Sequence, residues 1–291
     1  MFEFINNLPY SCNCMKCNNN FLLVANESCV TQIDEQNRIA CKYFIHNVSS
    51  ISLYGNNKIA LKNTSGMLST IDLDDNSITC FDSFECTEGN PLLSIANNVW
   101  WTDWDGKLFC FESDNQKVVN LNKLPSSFLM PIDLMATSNY KTLYISSFNR
   151  KTCKAEMFKY CIAENTLEHI SMPIKKADYL RCCINNKNEI IVYDGHANTI
   201  SSLTEKNSSF VIEKTVLISK KYGVFDRISA FDNYLAIWNS SYVIIVDQSN
   251  GKQVFEYNDN YISDICFSNK YLIIGTWEKC SVFSINKTSL I

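Results

Sequence analysis

The chain has 291 residues, of which 46% are hydrophobic and 19% charged, with a formal net charge of -4. That is enough apolar material for a sizeable core within one domain, and all-β architectures often reach this length as a single unit. The charge balance and the lack of a basic stripe exclude a general DNA or RNA binder: the longest basic groups are Lys175-Lys176 and Lys220-Lys221.

Short apolar runs recur along the chain, each entered through an Asn- or Lys-rich turn. In order they are Phe21-Leu22-Leu23-Val24, Ile59-Ala60-Leu61, Val99-Trp100-Trp101, Leu143-Tyr144-Ile145, Ile190-Ile191-Val192, Tyr234-Leu235-Ala236-Ile237 and Tyr271-Leu272-Ile273-Ile274. With Leu22, Ile59, Trp100, Leu143, Ile190, Leu235 and Leu272 as markers, the spacings are 37, 41, 43, 47, 45 and 37 residues. This is the period of a four-stranded propeller blade. Each unit continues alike. A tight turn such as Ser65-Gly66, Asp105-Gly106 or Ser240-Ser241 leads to a third strand, as at Leu68 to Leu73 or Tyr242 to Val246. A polar turn follows: Glu35-Gln36-Asn37, Asp74-Asp75-Asn76, Asp114-Asn115-Gln116, Glu164-Asn165-Thr166 or Ser249-Asn250-Gly251. A fourth strand ends the unit, as at Ile39 to Ile45, Ile78 to Phe84 or Gln253 to Tyr257. The spacing therefore predicts an all-β chain: one domain over residues 1–291, a seven-bladed β-propeller of four-stranded antiparallel blades. The seventh unit leaves too little chain for a fourth strand, so Phe2 to Ile5 is expected to supply it and close the ring.

This pattern resembles the diverged seven-bladed propellers of the WD-repeat and quinoprotein-like kinds. The WD signature itself is missing. Gly195-His196 and Trp104-Asp105 both fall in second-to-third-strand turns, and no Trp-Asp closes a third strand. The resemblance carries a fold and no particular activity.

In such a fold the loops entering each first strand share one rim with the second-to-third-strand turns, and function gathers on loops carried by a rigid frame. Trp104, Phe148, Trp238 and Trp277 fall there, with His196 nearby. Asp105 and Glu278 directly follow Trp104 and Trp277, which marks these two indoles for exposure; Trp100, Trp101 and Trp238 read as packing between blades. Acids recur just before first strands at Glu88, Asp133, Asp178, Asp226 and Asp264. If equivalent, they circle one channel mouth and focus a negative potential suited to a basic peptide. The binding site expected from these signals is Trp104, Trp277, Asp133, Asp178, Asp226, Asp264 and His196, with a protein or peptide as partner.

Catalysis reads less well. Antibiotic-inactivating lyases of the propeller class use paired histidines with an acid, whereas His46 and His169 here are assigned to outer fourth strands, leaving only His196 at the rim. Propeller hydrolases hold a central calcium through oxygen ligands, which Asp133, Asp178, Asp226 and Asp264 could offer. A hydrolase or lyase with a central divalent metal is thus one alternative, and a purely structural subunit another. Cys12-x-Cys14-x-x-Cys17 with Cys29 is a candidate zinc set of irregular spacing. Most of the 14 cysteines lie in apolar alternating runs and read as small buried hydrophobes. No cofactor is expected. No apolar run is long enough to span a bilayer and no secretory start is visible, so a cytoplasmic location is expected, and because a propeller closes its own sheet edges the chain is expected to be a monomer.

Overall fold

The computed structural model describes residues 2–18, 20–55, 57–81, 86, 89–174 and 180–285. Strand β1 (Phe2–Leu8) precedes the first blade, which is built from β2 (Cys14–Cys17), β3 (Phe21–Ala25), β4 (Val30–Asp34) and β5 (Ile39–Tyr43). Blade 2 follows with β6 (Val48–Tyr54), β7 (Lys58–Asn63), β8 (Leu68–Asp72) and β9 (Ile78–Phe81). Blade 3 has β10 (Leu93–Ile95), β11 (Asn98–Thr102), β12 (Lys107–Glu112) and β13 (Lys117–Lys123); blade 4 has β14 (Leu129–Ala136), β15 (Thr142–Asn149), β16 (Lys154–Cys161) and β17 (Thr166–Ile170). Blade 5 has β18 (Leu180–Ile184), β19 (Ile190–Asp194), β20 (Thr199–Lys206) and β21 (Ser209–Leu217), and blade 6 has β22 (Arg227–Phe231), β23 (Tyr234–Trp238), β24 (Tyr242–Asp247) and β25 (Gln253–Asn258). Blade 7 is β26 (Ile262–Phe267), β27 (Tyr271–Thr276) and β28 (Cys280–Ile285), completed by β1. Among the described residues the one helical segment is a 3₁₀ turn at Lys220–Tyr222.

Every marker residue lies on a second strand, and Glu156 to Ala163, the run closest to a helix by pattern, falls mostly in the third strand β16. The turn chemistry explains why the units stay in register. The polar turns between third and fourth strands need a residue in the left-handed region, and Asn37, Asn76, Gln116, Asn165 and Gly251 take it at φ 63, 61, 48, 52 and 74°. Asn and Gly pay least for that conformation. At Gly106 (φ 81°) a side chain would also press on Leu124, its Cβ falling 3.1 Å from that residue's Cβ.

The core lies between blades. Alternating strand residues face the two neighbours, so the second and third strands are buried on both sides while the outer fourth strands are largely exposed. Trp100, Trp101 and Trp238 are all buried, and Trp101 stacks on Phe109 at 5.3 Å. Closure follows the expected course. β1 pairs antiparallel with β28 from Phe2↔Ile285 to Leu8↔Cys280, with one bulge between Phe4 and Asn6. Phe2 then wedges into the seam with blade 6, 5.5 Å from the ring of Tyr234 and 5.1 Å from that of Phe255.

Candidate functional site: the rim and the central cavity

First strands of all seven blades surround a central cavity of about 500 Å³. Its charged lining is Lys16, Asp133, Arg227 and Asp264. Asp133 and Asp264 thus face the channel, but from within β14 and β26 rather than from the loops before them. The reason is local. Both first strands carry a bulge, between Pro131 and Asp133 and between Ile262 and Asp264, and β6 has the same bulge between Val48 and Ser50. A bulge re-aims one side chain, and in each case that side chain accepts a backbone N–H from the next blade. Leu92 donates to Ser50 Oγ at 2.8 Å, Cys182 to Asp133 Oδ2 at 2.7 Å, and Met15 to Asp264 Oδ2 at 2.8 Å. The last of these ties blade 7 to blade 1. The two acids are therefore latches between blades, and Ser50 accepts the equivalent N–H through a hydroxyl.

Burial pushes both carboxyls up from their ordinary range. Asp264 reaches about 6, the rise limited by the N–H groups of Met15 and Ile265 and by the charges of Arg227 and Lys16. Asp133 is raised by the same desolvation, against the pull of Arg181, the Cys182 N–H and Arg227. The expected ring of acids is therefore corrected: among the described residues, two carboxylates are interleaved with cations. Asp226 is exposed and ends the loop before β22, where its carbonyl accepts the Arg181 guanidinium. Glu88 and Asp178 lie outside the described residues.

The aromatic part of the rim is more pronounced. Trp277, in the turn between β27 and β28, is 60% exposed and stacks face to face on Tyr261, 54% exposed, with ring centroids 4.8 Å apart and planes 6° from parallel. Tyr261 sits in the loop entering β26 with φ 58°, an uncommon conformation for a large side chain. The loop is held in place. The N–H groups of Asp259 and Ile262 donate to the carbonyls of Ser241 and Ser240 (3.2 and 3.0 Å), and Lys279 pairs with Asp259 at 3.0 Å. Trp104, 49% exposed, occupies the equivalent turn of blade 3. Phe128, before β14, is exposed too, with Lys151 over its ring at 5.6 Å. Phe44 and Leu217 add exposed apolar surface at the same ends of fourth strands, while the opposite face shows Tyr140 and Tyr271. The structure does not join Trp104 to Trp277, since blades 1 and 2 lie between them by the shorter route. Phe148 lies within β15, half-buried.

The histidines require one correction. His169 is on fourth strand β17, 3.7 Å from Glu156. His46 is not on a fourth strand. The Ile45 N–H folds back to the Tyr43 carbonyl at 3.0 Å, which ends β5 and leaves His46 exposed in the loop to β6, on the rim. His196 is exposed in the turn after β19, whose shape is set by the Asp194 carboxylate accepting the N–H groups of His196 and Ala197.

The zinc set does not assemble. Cys12 packs in the seam between blades 7 and 1, whereas Cys14 packs between blades 1 and 2 with its thiol on the Val48 carbonyl at 3.6 Å. Cys12 precedes β2, so strand alternation does not extend to it. Among the described residues no three His, Cys, Asp or Glu side chains converge to hold a metal. Sequence reading also missed Lys62 and Asp103, both wholly buried beneath the rim. The Lys62 ammonium donates to the Asn90 carbonyl. Its place in a seemingly ordinary second strand carries no signal of this.

No family model and no curated protein sequence matches the chain. Solved structures match over nearly the whole of it. Virginiamycin B lyase from Staphylococcus aureus superposes with a TM-score of 0.73 at 12% identity, covering 98% of this chain and 99% of that one. The β-propeller domain of Myceliophteria thermophila Cps50 (Swd1) gives 0.74 at 14%, covering 98% and 100%. PorZ, an essential surface component of the type-IX secretion system of Porphyromonas gingivalis, gives 0.71 at 11%, covering 97% of this chain but 38% of that one. The chain is a diverged seven-bladed β-propeller. The fold is common to an enzyme and to propellers of other kinds, so likeness alone assigns no activity. None of the described helical residues forms a segment long and apolar enough to cross a membrane.

Proposed function

We propose that this propeller is a non-catalytic cytoplasmic binding module whose rim holds a basic segment of another protein, anchored on the Trp277–Tyr261 stack. The stack is the observation that carries the reading. Large aromatic surface is costly to leave in water, and here it is held ready by a loop pinned at both ends. An anchor already ordered before binding loses little side-chain entropy on contact. The exposed face of a stacked indole and phenol suits a guanidinium or ammonium. Glu278 beside Trp277 and Asp226 at the neighbouring blade, both exposed, favour the same charge on the partner. The protein acts as a monomer, since the ring closes its own sheet edges.

A displayed library of random peptides tests this. The wild-type protein should enrich Arg- and Lys-rich peptides, and Trp277→Ala should weaken their binding about thirtyfold, the loss of a typical hot-spot aromatic near 2 kcal/mol. Because Trp277 is mostly outside the core, the melting temperature should stay within a degree or so. Equal affinity for wild type and Trp277→Ala, or no enrichment of basic peptides, would dismiss the reading.

A further inference from the structure

Ring closure does more than pair β1 with β28. It lays β26, the first strand of the last blade, beside β2, the first strand of the first. Both run in the same direction along the channel, and the Met15 N–H on the Asp264 carboxylate fixes their alignment. Residues two apart on a strand share a face. Two positions beyond Met15 is Cys17, and two beyond Asp264 is Cys266. There Cys17 packs against the hydrophobic cluster that holds Cys266, which makes the two thiols neighbours. Both line the central cavity. Cys266 is buried while Cys17 is half-buried, so a reagent in the cavity reaches Cys17 first. The other thiol contact of this seam differs. Cys12 Sγ lies over Gly275, whose cross-strand partner is Cys280, and both cysteines are wholly buried.

We infer that Cys17 and Cys266 form a dithiol oxidation site, in which a small hydroperoxide entering the central cavity converts the pair to a disulfide across the ring closure. The Cys17 sulfur attacks the peroxide, the O–O bond breaks, and an alcohol or water leaves as Cys17 becomes a sulfenic acid. The Cys266 sulfur then displaces the sulfenic oxygen. The S–S bond forms, the Cys266 proton leaves with that oxygen as water, and the two electrons lost by the thiols have reduced one peroxide. Burial and the contact with Cys17 hold the Cys266 thiol well above its usual range. Cys266 is therefore protonated and serves as the resolving partner, with Cys17 the sulfur first oxidised. The product links the first and last blades at their inner strands, next to the Asp264 latch.

The test uses the full chain, hydrogen peroxide as probe, and alkylation followed by peptide mass spectrometry. The exposed Cys80 and Cys153 serve as internal comparators. The expected product is an intramolecular Cys17–Cys266 peptide lighter by two hydrogen atoms and cleaved by dithiothreitol, with Cys12 and Cys280 still reduced. Its formation should raise the melting temperature by roughly 5 °C, as expected for a cross-link enclosing most of the chain. In Cys266→Ser the Cys17 sulfenic acid should persist and be trapped by dimedone. If Cys80 and Cys153 are oxidised while Cys17 stays free, or Cys17 proceeds to sulfinic acid in the wild type without joining Cys266, the inference is wrong. These outcomes are independent of peptide binding at the rim.

Discussion

Asp264→Asn separates the electrostatic cost of the seventh blade's latch from its hydrogen bond. The native carboxyl titrates at about 6, pushed up chiefly by burial, against an ordinary value of 3.8. A carboxyl raised on folding makes the native state bind the proton more tightly than the unfolded chain does. Its penalty is absent below the unfolded pKa, grows as pH rises through the interval, and is complete above the native pKa. A gap of about two units corresponds to roughly 3 kcal/mol at most, and dielectric screening at a half-buried site brings this to about 1–3 kcal/mol. Asparagine keeps an oxygen for the Met15 N–H, and any cost of turning its amide nitrogen toward the Ile265 N–H does not vary with pH. Urea melts of both proteins from pH 4 to 7.5 give the assay. All other titrating groups cancel in the difference, so wild type should lose about 1–3 kcal/mol relative to Asp264→Asn as pH rises through that window. Parallel pH profiles would refute the assignment of a half-buried, charge-penalised carboxylate to this latch.

Removal of residues 1–7 strips β28 of its partner strand and empties the Phe2 wedge, so the melting temperature should fall by roughly 5 °C or more by calorimetry; an unchanged transition would show that β1 does not hold the ring shut. Gly275→Ala places a Cβ 2.5 Å from Cys12 Sγ and 2.8 Å from its Cβ. That overpacking should cost about 1–3 kcal/mol in chemical denaturation, and a neutral result would mean the seam between blades 7 and 1 is looser than described.

The blades were legible because a repeat reports itself many times. The second strands are apolar on both faces, and a left-handed Asn, Gln or Gly closes turn after turn. The first strands were read less well. Asp133 and Asp264 looked like loop acids because a bulge shifts them by one residue, and alternation cannot show where a bulge falls. Their equivalence to Ser50 is visible only through the N–H each accepts. The alternation of Ile39 to Ile45 implies a fourth strand that reaches His46, while the Ile45 N–H bond to the Tyr43 carbonyl ends that strand early. The repeat alone puts Trp104 and Trp277 in second-to-third-strand turns, where they lie, yet nothing local pairs Trp277 with Tyr261, which belongs to a different loop. Cys17 and Cys266 lie near opposite ends of the chain, and only closure of the ring brings them together.

The central functional claim concerns one rim, so the most direct measurement compares the two faces of the ring. A photo-reactive amino acid placed at Tyr261, beside the exposed Trp277, is irradiated together with a selected basic peptide, and the same residue placed at the exposed Tyr140 on the opposite face serves as the control. The proposed function requires a covalent peptide adduct from position 261, suppressed by unlabelled peptide, and none from position 140. An adduct at 140 with none at 261 would contradict it.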